Sequence, residues 1–533
     1  MLSLLVTPVY WRIKPLHDPP YLLGIDSGTT ACKTVLYTLD GEQVAIASGQ
    51  HKIYHPKPLW AEQDPEDWYV SAVKTIRKVL KMANADGEDV IGVSVDSQRE
   101  AVVPLDDQGR KLMKSIIWLD QRAIPQQEKI KSIMSLNEVL DITGVPIDFI
   151  FSAPKILWIK DNRPSVYEKT SMFLCAKDYI IYKLTGEMIT DYSMASRTML
   201  FDIKRHCWSE RICEALGINI DLLPPVKGSW EVAGEISSDA AKLTGLKKGT
   251  PVACGGGDRP CEALGAGVIK EGMVNIGTGT GSAFEAPLSK PKIDIKGRID
   301  CCCHVVPDMW EYEIVVNSTG ASLNWFKDNF CFKETVKAKN RGISPYQLFD
   351  EEASAIDIGA DGLFYYPYLW GARAPVFNPS AKGVFFGFSH SHGRAHFIRA
   401  ILEGVAFQYV GVIKLLEQLG ISVSRISMVG GAAKSNLWNQ IKADIINLPI
   451  EIPHVTESAS LGSAILAGLA VKAYPNVDRA IKDVVKNEKI YKPRKEFHKR
   501  YMKAYKMYEQ IWRHLEKAFM CYGLNRSASS KSF

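Results

Sequence analysis

The chain has 533 residues, 46% hydrophobic and 23% charged, with 65 Lys+Arg against 59 Asp+Glu and a formal net charge of +6. That is ordinary globular composition with room for two to four domains and a large core, so a disordered or collagen-like chain is excluded and no disulfide or metal staple is needed. A charge this small over this length does not point to nucleic acid, and no run of about 18 apolar residues predicts a membrane span.

Residues 1–20 read as an N-terminal extension. Their apolar run has no basic residue before it and is broken by Pro8, unlike a secretory signal. From Tyr21 the chain reads as a strand that ends on Asp26, a tight turn at Ser27-Gly28-Thr29-Thr30, and a second strand over 33–37 closed by Asp40-Gly41. Residues 65–84 predict a helix, with Pro65 in the first turn and Trp68, Val73, Ile76 and Leu80 on one side. Residues 90–95 are an apolar strand leading into Asp96-Ser97-Gln98-Arg99-Glu100. Alternating strands and helices argue for an α/β fold. Near residue 251 the pattern restarts. A buried strand runs into Gly255-Gly256-Gly257-Asp258, a helix of small residues follows over 261–268, and a strand over 274–276 enters Gly277-Thr278-Gly279-Thr280-Gly281. A third such turn stands at Gly430-Gly431-Ala432. This is a weak two-fold duplication with its seam near 268–272. At the C-terminus Tyr501, Tyr505, Tyr508 and Trp512 fall at helical spacing, as in a closing helix packed by its aromatic stripe. Residues 516–533 are expected to be a disordered tail.

Eleven Cys is an odd count without paired CxxC spacing, which suits free thiols in a reducing cytoplasm. The run Cys301-Cys302-Cys303-His304 reads as a buried strand, because neighbours on a strand point to opposite faces and do not share one metal.

Four motifs carry chemistry. At Asp26-Ser27-Gly28-Thr29-Thr30 the glycine allows close approach, backbone N–H and Thr hydroxyls donate to phosphate oxygens, and Asp26 can hold a hydrated Mg²⁺; a plain hairpin turn is the alternative. Gly277–Gly281 is a second candidate phosphate loop that fits neither the P-loop nor the dinucleotide spacing. Asp258, after three glycines at a strand end, suits a general base that takes a proton from a hydroxyl, or a simple capping residue. Gly430-Gly431-Ala432 leaves room for a purine ring or is a plain turn.

Over roughly residues 20–515 these motifs, in this order, resemble the FGGY carbohydrate kinases. The resemblance rests on Gly24–Thr30, on Ile117-Trp118-Leu119-Asp120-Gln121-Arg122, and on Gly255–Asp258. It continues with Gly371-Ala372-Arg373-Ala374-Pro375 followed by Gly383–Phe388 and His396–Gly404, and ends with Gly430–Trp438. It implies two actin-like, ribonuclease H-like domains, 21–268 for the sugar and 269–515 for ATP, closing on Mg-ATP and the acceptor so that water is excluded. By carry-over Asp258 is the catalytic base, and Asp26 with Asp258 places the metal. Gly28, Thr29, Thr30, Lys33, Gly277, Thr278, Gly279, Gly320, Asn324, Gly430, Gly431, Ala432, Ser435 and Asn436 line the ATP side.

The sugar is expected from Gln98, Arg99, Glu100, Asp120, Arg122 and Arg259. Arg99 and Glu100 give a polyol a donor and an acceptor. Asp120 and Arg122 add to the site or form a structural ion pair. Arg259 can lower the pKa of Asp258 or meet an anionic substrate. Gln98-Arg99-Glu100 resembles glycerol kinases, whereas Thr190–Ser196 and Arg373-Ala374-Pro375 resemble xylulose and gluconate kinases. Pro225-Val226-Lys227 with Ser318-Thr319-Gly320 resembles autoinducer-2 kinases. The expected reaction is phosphorylation of D-xylulose to D-xylulose 5-phosphate. Glycerol, another pentulose, a sugar acid or the autoinducer-2 precursor are the alternatives, and a non-catalytic sugar- or nucleotide-binding regulator is the alternative of another class. The expected partners are the sugar and ATP, with neither nucleic acid nor membrane, and with a homodimer as the possible assembly.

Overall fold

In the computed structural model, residues 18–529 are described; the expected extension falls almost wholly outside them. Two seven-stranded sheets carry the same core order. In the first, β1 (Tyr21–Ser27), β2 (Ala31–Thr38) and β3 (Gln43–Gln50) form an antiparallel meander. Helix α1 (Pro65–Ala83), capped by Asp64 and by Asn84 in the left-handed conformation, buries Trp68, Ile76 and Leu80 against it. Strand β4 (Val90–Ser97) then returns parallel to β1. Helix α2 (Ser152–Asn162) belongs to the insertion that follows. The sheet is completed by β5 (Val232–Glu235), β6 (Pro251–Ala253) and the short β7 (Gly256–Gly257), the last two parallel to β4.

Helix α3 (Asp258–Gly265) leads to the second sheet. There β8 (Met273–Thr278), β9 (Ser282–Leu288) and, beyond β10 (Asp300–Cys303), β11 (Trp310–Val316) repeat the meander. Helices α4 (Thr319–Phe330) and α5 (Arg394–Gln418) lead to β12 (Arg425–Val429), parallel to β8. Helix α6 (Asn436–Ile446) and β13 (Ile450–Pro453) follow, with β13 parallel to β12. The order β3-β2-β1-β4-β6 thus recurs as β11-β9-β8-β12-β13. The duplication read from two Gly/Thr turns is a duplication of a whole sheet, and each turn is the first hairpin of its copy.

The chain does not stay with the second sheet after residue 457. Helix α7 (Ser458–Ala470) crosses back and lies on β1, β4 and α3. Small residues permit this: a Cβ at Gly24 would strike Ser460 O, one at Gly265 Ser458 O, and one at Gly462 Cys261 O. Within the expected unit of residues 269–515, Leu461, Ala464, Ile465 and Val484 share a core with Leu22, Val35 and Tyr37 of the first sheet. Strand β14 (Asn487–Tyr491) then rejoins β13.

Helix α8 (Lys495–Ser529) buries Tyr501, Tyr505, Tyr508 and Trp512 on the second core, with Tyr508 stacked on Tyr366 at 4.3 Å. The expected tail from 516 is corrected: the helix runs on through Ser529, because Leu515 and Phe519 extend the same apolar stripe. Residues 530–533 lie outside the described part. The cysteine run forms β10, with Cys301, Cys302 and Cys303 all buried. Among the described residues no helix is long and apolar enough to cross a membrane.

Candidate functional site

A cleft of about 650 Å³ opens between the two repeats. Thr29, Gln98, Arg99, Glu100, Trp118, Asp258 and Arg259 line it from the first, and Gly277–Ala283, Glu313, Gly430 and Gly431 from the second. The two hairpin turns, at Thr29 and at Gly279, face each other across it.

Asp258 opens α3, and its side chain is one-third exposed to the cleft. Its Oδ1 accepts from the Arg259 amide at 2.8 Å and lies 3.2 Å from Arg99 Nε. The three preceding glycines give the backbone room. A Cβ at Gly255 would strike Val95 O, one at Gly256 Val305, and one at Gly257 the Arg99 stem. Arg99 therefore lies flat on the strand that delivers the carboxylate.

Behind Arg99 is a chain of alternating charges. Its guanidinium grips Glu313 of β11 through two bonds, Nη2 to Oε2 at 2.7 Å. Arg197 donates to Glu100 at 2.6 Å and to Asp300 of β10 at 2.7 Å. Burial opposes ionisation of Glu313, yet Arg99 and Arg197 together hold it down at about 2. Arg259 stands 3.8 Å from both Glu262 and Glu285, and Arg298 pairs with Asp294 at 2.9 Å. Arg373, exposed on the cleft wall, makes no ion pair among the described residues.

The opposite end is built from backbone. Gly430 has φ +86°, and a Cβ there would sit 2.6 Å from Thr278 O. Gly320 abuts Gly279 O, so the phosphate turn is braced by the start of α4. Beneath it Thr278, Ser282, Thr319 and Tyr409 share hydroxyl bonds of 2.6–3.2 Å.

Two family models cover the chain: the N-terminal domain of the FGGY family of carbohydrate kinases over residues 21–265 and its C-terminal domain over 272–471. The chain belongs to the FGGY family of carbohydrate kinases. It is 32% identical to xylulose kinase of Bacillus subtilis over 93% of this chain and 97% of that one. It is also 32% identical to gluconokinase of Bacillus licheniformis over 96% and 99%. The crystal structure of ligand-bound xylulose kinase from Lactobacillus acidophilus superposes with a TM-score of 0.85 at 26% identity, covering 94% of this chain and 99% of the other. The protein is thus a carbohydrate kinase, a phosphotransferase with a two-domain fold.

Within the kinase's cleft, several expected residues stand elsewhere. Asp120 and Arg122 are fully engaged with each other at 2.7–2.8 Å. Asp120 also accepts from the Ala61 amide, and Arg122 pairs with Glu62 at 2.8 Å and stacks on Trp60 at 3.7 Å. They are the structural ion pair, removed from the cleft by burial of both charges. Their motif contributes Trp118 instead, whose indole N–H donates to Thr29 Oγ1 at 2.9 Å. Lys33 is drawn away by Glu457 at 2.7 Å. Ser435 caps α6 by accepting from the Trp438 amide and donates to Asp350 at 2.7 Å. Asn436 accepts from Lys489 and Tyr491, and Asn324 from Tyr346. Gly28, Thr30, Gly320 and Ala432 flank the cleft without lining it. Gln98 does line it, its amide held by Gln63 at 2.6 Å. Arg197, Glu313 and Asp300 had no signal in the sequence, because only tertiary folding brings them to the Gln98-Arg99-Glu100 loop.

Asp26, expected to place the metal, lies near the end of β1 and is not among the residues that line the cleft. Burial pushes its carboxyl up to about 7, with Lys33 pulling the other way and Asp258, Glu457 and Glu262 adding to the rise. A divalent ion would relieve that crowding of oxygen donors. Among the described residues no three His, Cys, Asp or Glu side chains form a metal cage. Mg²⁺ keeps several waters and takes one or two carboxylates plus phosphate oxygens, so it would need no more protein ligands than the Asp26 carboxylate.

Proposed function

We propose that the protein transfers the γ-phosphoryl group of ATP to a hydroxyl of a neutral ketose, D-xylulose before other sugars, giving D-xylulose 5-phosphate and ADP. The observation that carries this reading is the Asp258 carboxylate, one-third exposed in the cleft between two phosphate-type hairpins and 3.2 Å from Arg99. In this role Asp258 accepts the proton of the acceptor hydroxyl as its oxygen bonds to the γ-phosphorus and the bridging oxygen leaves with ADP. Thr29 and the amides around Gly279 meet the phosphates, and Gly430-Gly431 gives the nucleotide a flat wall. Asp26 would hold Mg²⁺, which neutralises phosphate charge. Asp258 carries a proton rather than that ion.

Neutrality of the sugar is supported by the charge pairing. Arg99, Arg197, Arg259 and Arg298 each face carboxylates, so no arginine in the deep end is free to bind a sugar acid. Arg373 is left for the phosphates.

The test is ADP release with Mg-ATP against D-xylulose, L-xylulose, D-ribulose, L-ribulose, glycerol, erythritol, gluconate and the autoinducer-2 precursor. D-xylulose is expected to give the highest kcat/KM. A preference for gluconate overturns the neutral-sugar reading, and silence on all eight overturns the acceptor assignment.

A further inference from the structure

Among the buried cations that the mechanism above leaves without a task, Lys155 reaches the walls of the cleft. Lys155, on α2, is wholly buried and forms no ion pair among the described residues. Its ammonium donates to two backbone carbonyls, Glu100 O at 2.8 Å and Ile150 O at 2.6 Å. Those carbonyls belong to two separate segments, and both Glu100 and Ile150 line the cleft.

A core position with only a packing role would be filled by Leu or Met at no desolvation cost, whereas a buried ammonium is expensive unless its protons are used. The segments it joins are ones that need holding. Glu100 adopts φ +63°, a left-handed conformation that costs a side-chain-bearing residue energy. Its carboxylate is fixed by Arg197, whose guanidinium also lies over the Phe151 ring at 4.9 Å. Burial lowers the Lys155 ammonium to about 8, with Glu100 and Asp120 opposing, so it is charged at neutral pH.

We propose that Lys155 is a positioning residue for the acceptor: its ammonium clamps the Glu100 and Ile150 carbonyls and so fixes the two walls between which the sugar lies. The functional half of this inference rests on the kinase reading above. Removing the ammonium leaves two buried carbonyls unsatisfied, and the walls separate.

The test uses the full chain with Lys155→Met and, should that variant not fold, Lys155→Gln. Two readouts are taken. In steady-state kinetics with D-xylulose, KM for the sugar is expected to rise roughly tenfold, while KM for ATP stays within about twofold. In hydrogen exchange of the unliganded protein, amides at 98–102 and 149–152 are expected to exchange roughly tenfold faster, with those of β8 unchanged. Unaltered exchange in both segments overturns the clamp. Equal rises in both KM values overturn the positioning role. If wild type fails to phosphorylate D-xylulose, the substrate reading falls alone, and the exchange data still decide the clamp.

Discussion

The two ends of the cleft are made of different material. The end proposed for the sugar is side chain on side chain: Arg99, Arg197, Glu100, Asp300 and Glu313 interlock with little exposure. The end proposed for the nucleotide is lined by backbone and small residues, Gly277, Gly279, Gly430 and Gly431, over a layer of Thr278, Ser282, Thr319 and Tyr409 hydroxyls. A rigid polar lattice can discriminate hydroxyl positions, since each misplaced group leaves a buried partner unpaired. A glycine-rich wall tolerates one common phosphate donor. On the proposed reading, sugar recognition and nucleotide binding are thus divided between the two ends of the cleft, with Asp258 at their boundary.

The largest effect should come at that boundary. Asp258→Asn is expected to lower kcat by roughly a thousandfold or more with sugar binding retained, read by ADP release and by Trp118 fluorescence; more than a tenth of the rate remaining removes it as base. Next, Asp120→Ala tests the pair reassigned to structure. It should cost about 3–5 kcal/mol of stability in denaturant unfolding and leave both KM values unchanged in the fraction that folds. Arg99→Met should raise sugar KM roughly thirtyfold but ATP KM by less than twofold; equal rises would erase the distinction between the ends.

His304 tests the sugar end from behind, in β10's wake beside Glu311. Burial lowers its pKa from 6.5 to about 3, against the pull of Glu313. The folded protein therefore holds His304 neutral where the unfolded chain takes up a proton. That contribution is intact above about pH 6.5 and is lost as pH falls toward 3, by about 1.4 kcal/mol per unit. His304→Gln should lose about 2 kcal/mol less than wild type between pH 7 and 5 in urea midpoints. The smallest effect is expected from Gly430→Ala, where the methyl group meets Thr278 O. ATP KM should rise roughly tenfold with sugar KM unmoved.

The same contrast explains what was legible. Thr29, Gly277–Gly279, Gly430-Gly431 and Asp258 sit in turns or at the ends of strands and helices, where residue types are dictated locally, so the string alone marks them. Arg197 and Glu313 are ordinary residues until the Arg99 side chain is laid across Gly257. Asp120 and Arg122 read either way in the sequence, because two charges two residues apart look functional, and the burial around Trp60 shows them bonded to each other. The sheet duplication was visible in its turns, but the return of α7 to the first sheet was not, since Ser458–Ala470 reads as any small-residue helix.

That return has a consequence for how the molecule is made. The face of β1 around Leu22 and Gly24 is covered by residues near Ser460 and Leu461, which are synthesised more than four hundred positions later. During translation the first repeat leaves the ribosome with that face bare and must wait for most of the chain before it can finish folding. A fragment ending at residue 265 is an unfinished object, and it should be rescued when the remainder of the chain is supplied as a separate polypeptide.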